Sequence, residues 1–315
     1  MGFPSLFVGK MLGDGYMNCT HKAPRFCFVH TLADRAYAEY CFQLLLPYLP
    51  FGPNGLKETS YFDPRTQKTY YRIFCQSRSS PLLRSLYSLW YQRQKVLPIE
   101  WVGENINAES LALWFQDDGN LKKGGDRIIL STESFSLKER MFLQYILQKR
   151  FGVLATIDCQ GRLDISSRHE VRKFQALVEP LMHDSMAKKS IVDKWKSWKA
   201  RWEESRALQG KPHRTSIYLP YYLYDKLRGL RYSDAINRLM DAWMDKQWHQ
   251  YLLEPDKRYH WLRDGEAFIE KGAHLLTPSF RADVKIRLDI LSDATGFERS
   301  ELVMMALCEG VSIML

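Results

Sequence analysis

Two aspartates, Asp14 and Asp118, each stand just before a glycine and at the end of a short apolar stretch, FVGKMLGDG at 7–15 and LALWFQDDG at 111–119. Hard divalent cations such as magnesium favour a few carboxylates combined with waters and phosphate oxygens. A cation held that way activates a water and stabilises the attacking and leaving oxygens of a phosphodiester displacement. A duplex has two strands, so a symmetric cutter needs one carboxylate near each scissile phosphate. Two aspartates at the tips of two facing helices meet that need. A single Asp-Gly is mostly a turn signal, but two that each open a copy of one pattern are specific. The glycines, Gly15 and Gly119, are expected to let the chain turn sharply. Gly9, Gly13 and Ala112 are small enough to let the helices approach closely. Asp117 stands where the first copy has Gly13, and is expected to face solvent or to cap a helix.

The elements that must position these residues repeat. After each Asp-Gly comes a polar hairpin-like segment, then a run alternating like a strand, RFCFVHT at 25–31 and RIILSTES at 127–134. An amphipathic helix follows, at about 33–46 and about 136–151, then a second strand pair, LKETSYF with KTYYRIFCQ and VLATIDC with RLDISS. A helix closes each copy, at about 79–93 and about 168–182. The spacing predicts α-β-β-α-β-β-α twice, an α+β fold with a pseudo-two-fold axis where the motif helices meet.

Composition narrows the partners. Residues 211–315 carry 15 basic and 15 acidic side chains, so the whole net charge of +9 lies in residues 1–210. A basic, aromatic-rich region suits a polyanion, nucleic acid being the commonest. The six cysteines form no CxxC pair and no zinc spacing, and the eight histidines form no triad or zinc site. No apolar run approaches the roughly 20 residues of a membrane-spanning helix. The start, MGFPSLFVGKMLGDGYM, does not read as a secretory signal.

With these residues in place, the chain resembles the LAGLIDADG homing endonucleases, specifically their monomeric double-motif branch, over about residues 5–190. LALWFQDDGNL is particularly typical of that branch. The resemblance implies that Asp14 and Asp118 coordinate Mg²⁺ or another divalent metal. It also implies a lysine near each metal. Lys95, in the KVLP stretch, takes the first place, and Lys189, nine residues after Pro180, the second, with Lys188 its neighbour. The partner it implies is double-stranded DNA with a long target, cut across the minor groove to leave 3′ overhangs, in an element that spreads by inducing repair.

In such a fold the sheets lie in the major groove, where base pairs show distinct donors and acceptors. Alternation along the strands turns Arg127, Ser131, Arg162, Asp164 and Ser166 outward in the second half, and Arg72 and Gln76 in the first. Lys57, Arg65, Gln67 and Lys68 fall near a hairpin. Residues 184–210 read as one basic helix whose Trp195, Trp198 and Trp202 share a face, packed on the preceding domain or stacked on DNA. The tail resembles two ribbon-helix-helix units, at about 213–247 and 277–312, able to pair within the molecule. Their outward strand residues would be Arg214, Ser216, Tyr218, Ser279 and Arg281. The other reading of the tail is a helical accessory or dimerisation domain.

The expected domains are two LAGLIDADG halves, 1–100 and 101–190, a basic linker helix, 191–210, and a mostly helical extension, 211–315. The function this implies is site-specific, metal-dependent double-strand cleavage with a DNA-binding or repressor-like tail. It would act in the cytoplasm or nucleoid of a bacterium or phage-infected cell, or in an organelle. The alternatives are an RNA-binding intron maturase and a transcriptional regulator with an inactive nuclease domain.

Overall fold

Proline at position 4 and an apolar run open the chain as a helix, α1 (Phe3–Leu12). The structure is a computed structural model that describes residues 2–20, 23–272 and 274–314. After α1 come β1 (Tyr16–Thr20), β2 (Ala23–Thr31), α2 (Arg35–Leu45), β3 (Phe51–Asp63), β4 (Lys68–Ser77) and α3 (Pro81–Trp90). Ser80 starts α3 by accepting a hydrogen bond from the Leu83 N–H. The helix stops at Trp90, short of the expected 93. A tight pair, β5 (Tyr91–Gln92) and β6 (Gln94–Lys95), turns there through Arg93 at φ 70°, a costly conformation for a side chain of its size. A short helix, α4 (Ile99–Asn105), leads to the second copy.

That copy runs α5 (Ala108–Asp118), β7 (Gly119–Leu121), β8 (Ile128–Leu130), α6 (Leu137–Phe151), β9 (Thr156–Ile157), β10 (Leu163–Ile165) and α7 (Arg168–Val178). Reciprocal capping boxes open α5 (Asn107 with Ser110) and α6 (Ser136 with Glu139), and Gly152 closes α6 at φ 59°. The two sheets share one topology, β1-β2-β4-β3 and β7-β8-β10-β9, all antiparallel. The fold is therefore α+β with two pseudo-symmetric αββαββα copies. The inner faces, Phe26, Phe28, Ile73 and Cys75 in one sheet and Ile128, Leu130, Leu163 and Ile165 in the other, are buried.

The chain divides into two compact units, residues up to 166 with 181–190, and residues 167–180 with everything from 191. The closing helix α7 thus groups with the C-terminal unit, where its polar side chains find their partners. His169 Nδ1 lies 2.8 Å from Thr295 O, Arg172 donates to Asp293 O at 3.1 Å, and Lys173 pairs with Glu266. The single helix expected over 184–210 is broken. A 3₁₀ turn, Asp184–Lys189, ends at extended Ser190, and α8 (Val192–Ser205) starts afresh. Its tryptophan stripe packs inside the C-terminal unit and is not exposed for stacking on DNA. Trp202 lies parallel to Trp248 at 4.3 Å, and the Arg258 guanidinium covers Trp195 at 3.5 Å.

The rest of this unit is β11 (His213–Arg214), β12 (Ile217–Leu219), α9 (Tyr221–Leu227), α10 (Tyr232–Gln247), α11 (Pro255–Gly265), β13 (His274–Leu276), β14 (Ser279–Phe280), α12 (Ala282–Thr295) and α13 (Arg299–Met314). The strands pair antiparallel in one constant register from His213↔Phe280 to Leu219↔His274. The unit therefore contains a two-stranded ribbon, each strand of which is followed by two helices. Gly296, at φ 75°, ends α12.

Candidate metal and catalytic centre

The two motif helices, α1 and α5, pack directly on each other. Glycine makes this possible. A Cβ on Gly9 would lie 2.7 Å from Ser110 O, and one on Gly13 only 2.4 Å from Asp117 Cβ. Ser110 Oγ donates to Ser5 O at 2.8 Å, tying the helices together. The face of α5 that meets the two glycines is Ser110, Leu113 and Asp117, at i, i+3 and i+7. The glycine after each aspartate supplies room and not a left-handed turn. Gly119 has φ −81°, and a Cβ there would lie 2.5 Å from Phe115 O; one on Gly15 would lie 2.4 Å from Lys10 O.

Asp14 lies in the turn after α1, and Asp118 is the last residue of α5. Their surroundings differ. Burial works against ionisation of Asp14, but its hydrogen bond with His30, and the charges of Lys10 and Lys189, hold its pKa below the ordinary value. His30 Nδ1 is 3.2 Å from Asp14 Oδ2. Asp118 is pushed up to about 7 by burial, then by Asp14 and Asp117. Its carboxylate has no hydrogen-bond or ion-pair partner among the described residues. Lys95 Nζ donates to Gly15 O at 3.0 Å, and burial brings it down to about 8 although Asp118, Asp14 and Asp117 oppose this. Lys189 Nζ donates to the carbonyls of Phe115, Gln116 and Asp117 at the end of α5, and burial lowers its pKa. Each half thus brings one lysine to its own motif. Lys188 turns to Asp34 instead.

This donor set fits a hard divalent cation. Two carboxylates converge, and burial, together with the charges of Asp14 and Asp117, drives Asp118 toward neutrality, a cost that a bound cation would relieve.

Asp117 is neither a solvent residue nor a simple cap. Its side chain is fully buried against Lys10, also fully buried, at 2.7 Å. Tyr37 Oη donates to Asp117 Oδ1 at 2.8 Å, and the Asp14 main-chain N–H donates to Oδ2 at 3.1 Å. Lys10, His30, Tyr37 and Asp117 were not singled out as site residues from sequence. The available signal was a lysine inside the apolar run FVGKML, which cannot be buried without a carboxylate. His30, Cys41 and Asp117 also cluster as metal ligands would. The Lys10 ammonium stands among them, 3.5 Å from His30 Nε2, 3.7 Å from Cys41 Sγ and 2.8 Å from Asp117 Oδ1, where an ion would have to sit.

A family model described as the LAGLIDADG DNA endonuclease family matches residues 5–174, more than half of the chain. The chain belongs to this family. The intron-encoded endonuclease ai4 of Dictyostelium discoideum is 33% identical over 106 residues, 32% of this chain and 65% of that protein. The chain therefore spans just under two thirds of that relative. The cytochrome b mRNA maturase bI2 of Saccharomyces cerevisiae is 26% identical over 167 residues, 50% of this chain and 38% of that protein. Among solved structures, the homing endonuclease I-WcaI bound to its DNA recognition sequence superposes with a TM-score of 0.51 at 21% identity, covering 59% of this chain and 84% of that one. This is likeness of fold.

In this LAGLIDADG chain the side chains expected to face DNA are differently engaged. Arg72 and Gln76 share the outer face of the first sheet, Arg72 bonded to Thr59 and Gln76 to Arg25. Arg127 grips Asp164 with two hydrogen bonds, and Asp164 is itself buried. Arg162 is held by Asp158 in the same forked way. Ser166 is exposed and Ser131 partly so. On the ribbon, Arg214, Ser216 and Tyr218 are exposed and Ser279 half-buried. Arg281 lies just beyond β14, where Asp283 and Asp241 hold its guanidinium. Among the described residues no helix is long and apolar enough to cross a membrane.

Proposed function

We propose that this chain is a site-specific, divalent-metal-dependent endonuclease that cuts both strands of a DNA duplex. The observation that carries the reading is the convergence of Asp14 and Asp118 at the tips of tightly packed α1 and α5, with Lys95 and Lys189 beside them. A bound divalent cation would supply an activated water and charge stabilisation at the scissile phosphate. Asp14 and Asp118 would each hold such a cation. Lys95 and Lys189 would neutralise charge growing on the phosphate, and Lys95, with a pKa brought down to about 8, is also suited to exchange a proton with water near neutral pH.

The tail is proposed as a second DNA-reading element of ribbon-helix-helix type. The constant register of its ribbon and the exposed Arg214, Ser216 and Tyr218 support this. It adds target affinity or represses transcription. An intron-encoded relative supports carriage by a mobile intron. The test is a cleavage selection on a random-sequence duplex library with Mg²⁺ and with EDTA. Enrichment of one long target only with Mg²⁺ supports the reading, and no cut duplex despite DNA binding contradicts it. The maturase relative favours a second reading, RNA binding in intron splicing. It predicts splicing that survives Asp14→Asn and Asp118→Asn.

A further inference from the structure

The two aspartates belong to two copies of one unit, yet only one is held by a network. Asp117 occupies the position of Gly13 in the other copy, and a Cβ on Gly13 would strike it, so a second acid in the mirror position would not fit. Asp117 reaches instead across the helix interface. Its Oδ2 accepts the Asp14 N–H, and both oxygens contact Lys10, which stands over the Phe28 ring at 4.6 Å. Lys10 also fixes His30. An ammonium can only donate, so His30 Nε2, facing it at 3.5 Å, accepts and the ring proton resides on Nδ1. That proton points at Asp14 Oδ2, 3.2 Å away. Main chain and carboxylate of Asp14 are thus both oriented by groups that meet at Lys10, whereas the Asp118 carboxylate has no such partner among the described residues.

We propose that Lys10 is a built-in cation that positions Asp14 and not Asp118, making the two metal-binding halves of the centre unequal. Lys10 and Asp117 are positioning residues: they act on Asp14 through its main-chain N–H and through the His30 tautomer. The inference rests on the nuclease reading for its consequence, that the strand cut with Asp14 depends on Lys10 while the strand cut with Asp118 does not.

Removing Lys10 alone would bury an unpaired carboxylate and risk misfolding. The test therefore uses neutral pairs in the full chain, Lys10→Met/Asp117→Ala and Lys10→Met/Asp117→Asn, the latter keeping an acceptor for the Asp14 N–H. Mn²⁺ affinity of the DNA-free protein is measured by electron paramagnetic resonance in an Asp118→Asn background, which leaves Asp14, and in an Asp14→Asn background, which leaves Asp118. The expected result is a loss of about 10- to 100-fold with the alanine pair in the first background only, partly restored by the asparagine pair. In the second background affinity should stay within about two-fold. Equal losses in both backgrounds, no loss in either, or no Mn²⁺ bound by the unaltered protein would overturn the proposal. Strand-resolved cleavage of the selected target adds the consequence: the alanine pair should accumulate nicked duplex, always intact in the strand that Asp14→Asn fails to cut. Nicks falling equally on both strands would overturn it too. An unaltered protein that binds Mn²⁺ with the expected asymmetry but cuts no DNA would sink the nuclease reading and leave the role of Lys10 supported.

Discussion

At the scale of single residues, the chemistry turns on charges held where water cannot easily solvate them. Asp118 titrates at about 7 in the folded chain against an ordinary 3.8. The folded state therefore binds this proton more tightly than the unfolded state. The resulting stability is fully present below about pH 4 and is lost as the pH rises through about 7. Metal-free Asp118→Asn should accordingly melt above the unaltered protein at about pH 8, by about 2–4 °C for each kcal/mol recovered, and the gap should close only by about pH 4. Mg²⁺ should raise the midpoint of the unaltered protein more than that of the variant, which keeps only Asp14. A variant that melts lower at about pH 8 contradicts this account of Asp118. Lys95 contributes differently, since its ammonium lies beside both aspartates and its pKa is brought down by burial. Single-turnover cleavage by Lys95→Met should slow by about 100-fold with DNA affinity nearly unchanged, the pattern of a group needed mainly in the transition state. A matching loss of affinity would assign Lys95 to binding instead.

At the scale of elements, the interface of α1 and α5 sets how far apart the aspartates lie, and glycine sets the interface. Gly9→Ala would press a methyl against Ser110 O, a backbone atom that cannot rotate away. Urea unfolding should show a loss of about 1–3 kcal/mol, accompanied by weaker cleavage even where DNA binding survives. An unchanged unfolding midpoint would mean the helices can separate freely. The repeat was legible because apolar periodicity and paired Asp-Gly motifs are local signals, and the αββαββα order follows from them. Asp117 was not, because its partner Lys10 lies more than a hundred residues away in sequence and only the packing joins them. The break at Ser190 was missed for a similar reason. Residues 184–205 have helical composition throughout, but the Ile191 N–H is taken by Glu179 Oε1 at 2.6 Å and Lys189 is drawn to the end of α5. The tryptophan stripe was visible by its spacing. Its partners, Trp248 and Arg258, were not.

At the scale of the whole molecule, the charge is lopsided, with all of the +9 in residues 1–210. A neutral tail can still read DNA if a few side chains on its ribbon do so. Arg214 and Tyr218 are exposed on one strand, while Arg281 is already held by two carboxylates. Arg214→Ala/Tyr218→Ala should therefore weaken target binding and flatten its salt dependence by about one unit of log–log slope for each phosphate no longer neutralised, while Arg281→Ala should change it less. An unchanged slope in the first variant would make the tail an accessory domain that does not touch DNA. The central claim concerns Asp14 and Asp118 acting together. Its most direct test is cleavage of the selected duplex by the unaltered chain, Asp14→Asn and Asp118→Asn, with binding measured in Ca²⁺ beside each reaction in Mg²⁺. The account predicts linear product from the unaltered chain alone, with binding retained in all three. Double-strand cleavage by either variant at the unaltered rate, or intact DNA in every lane despite tight binding, would contradict it.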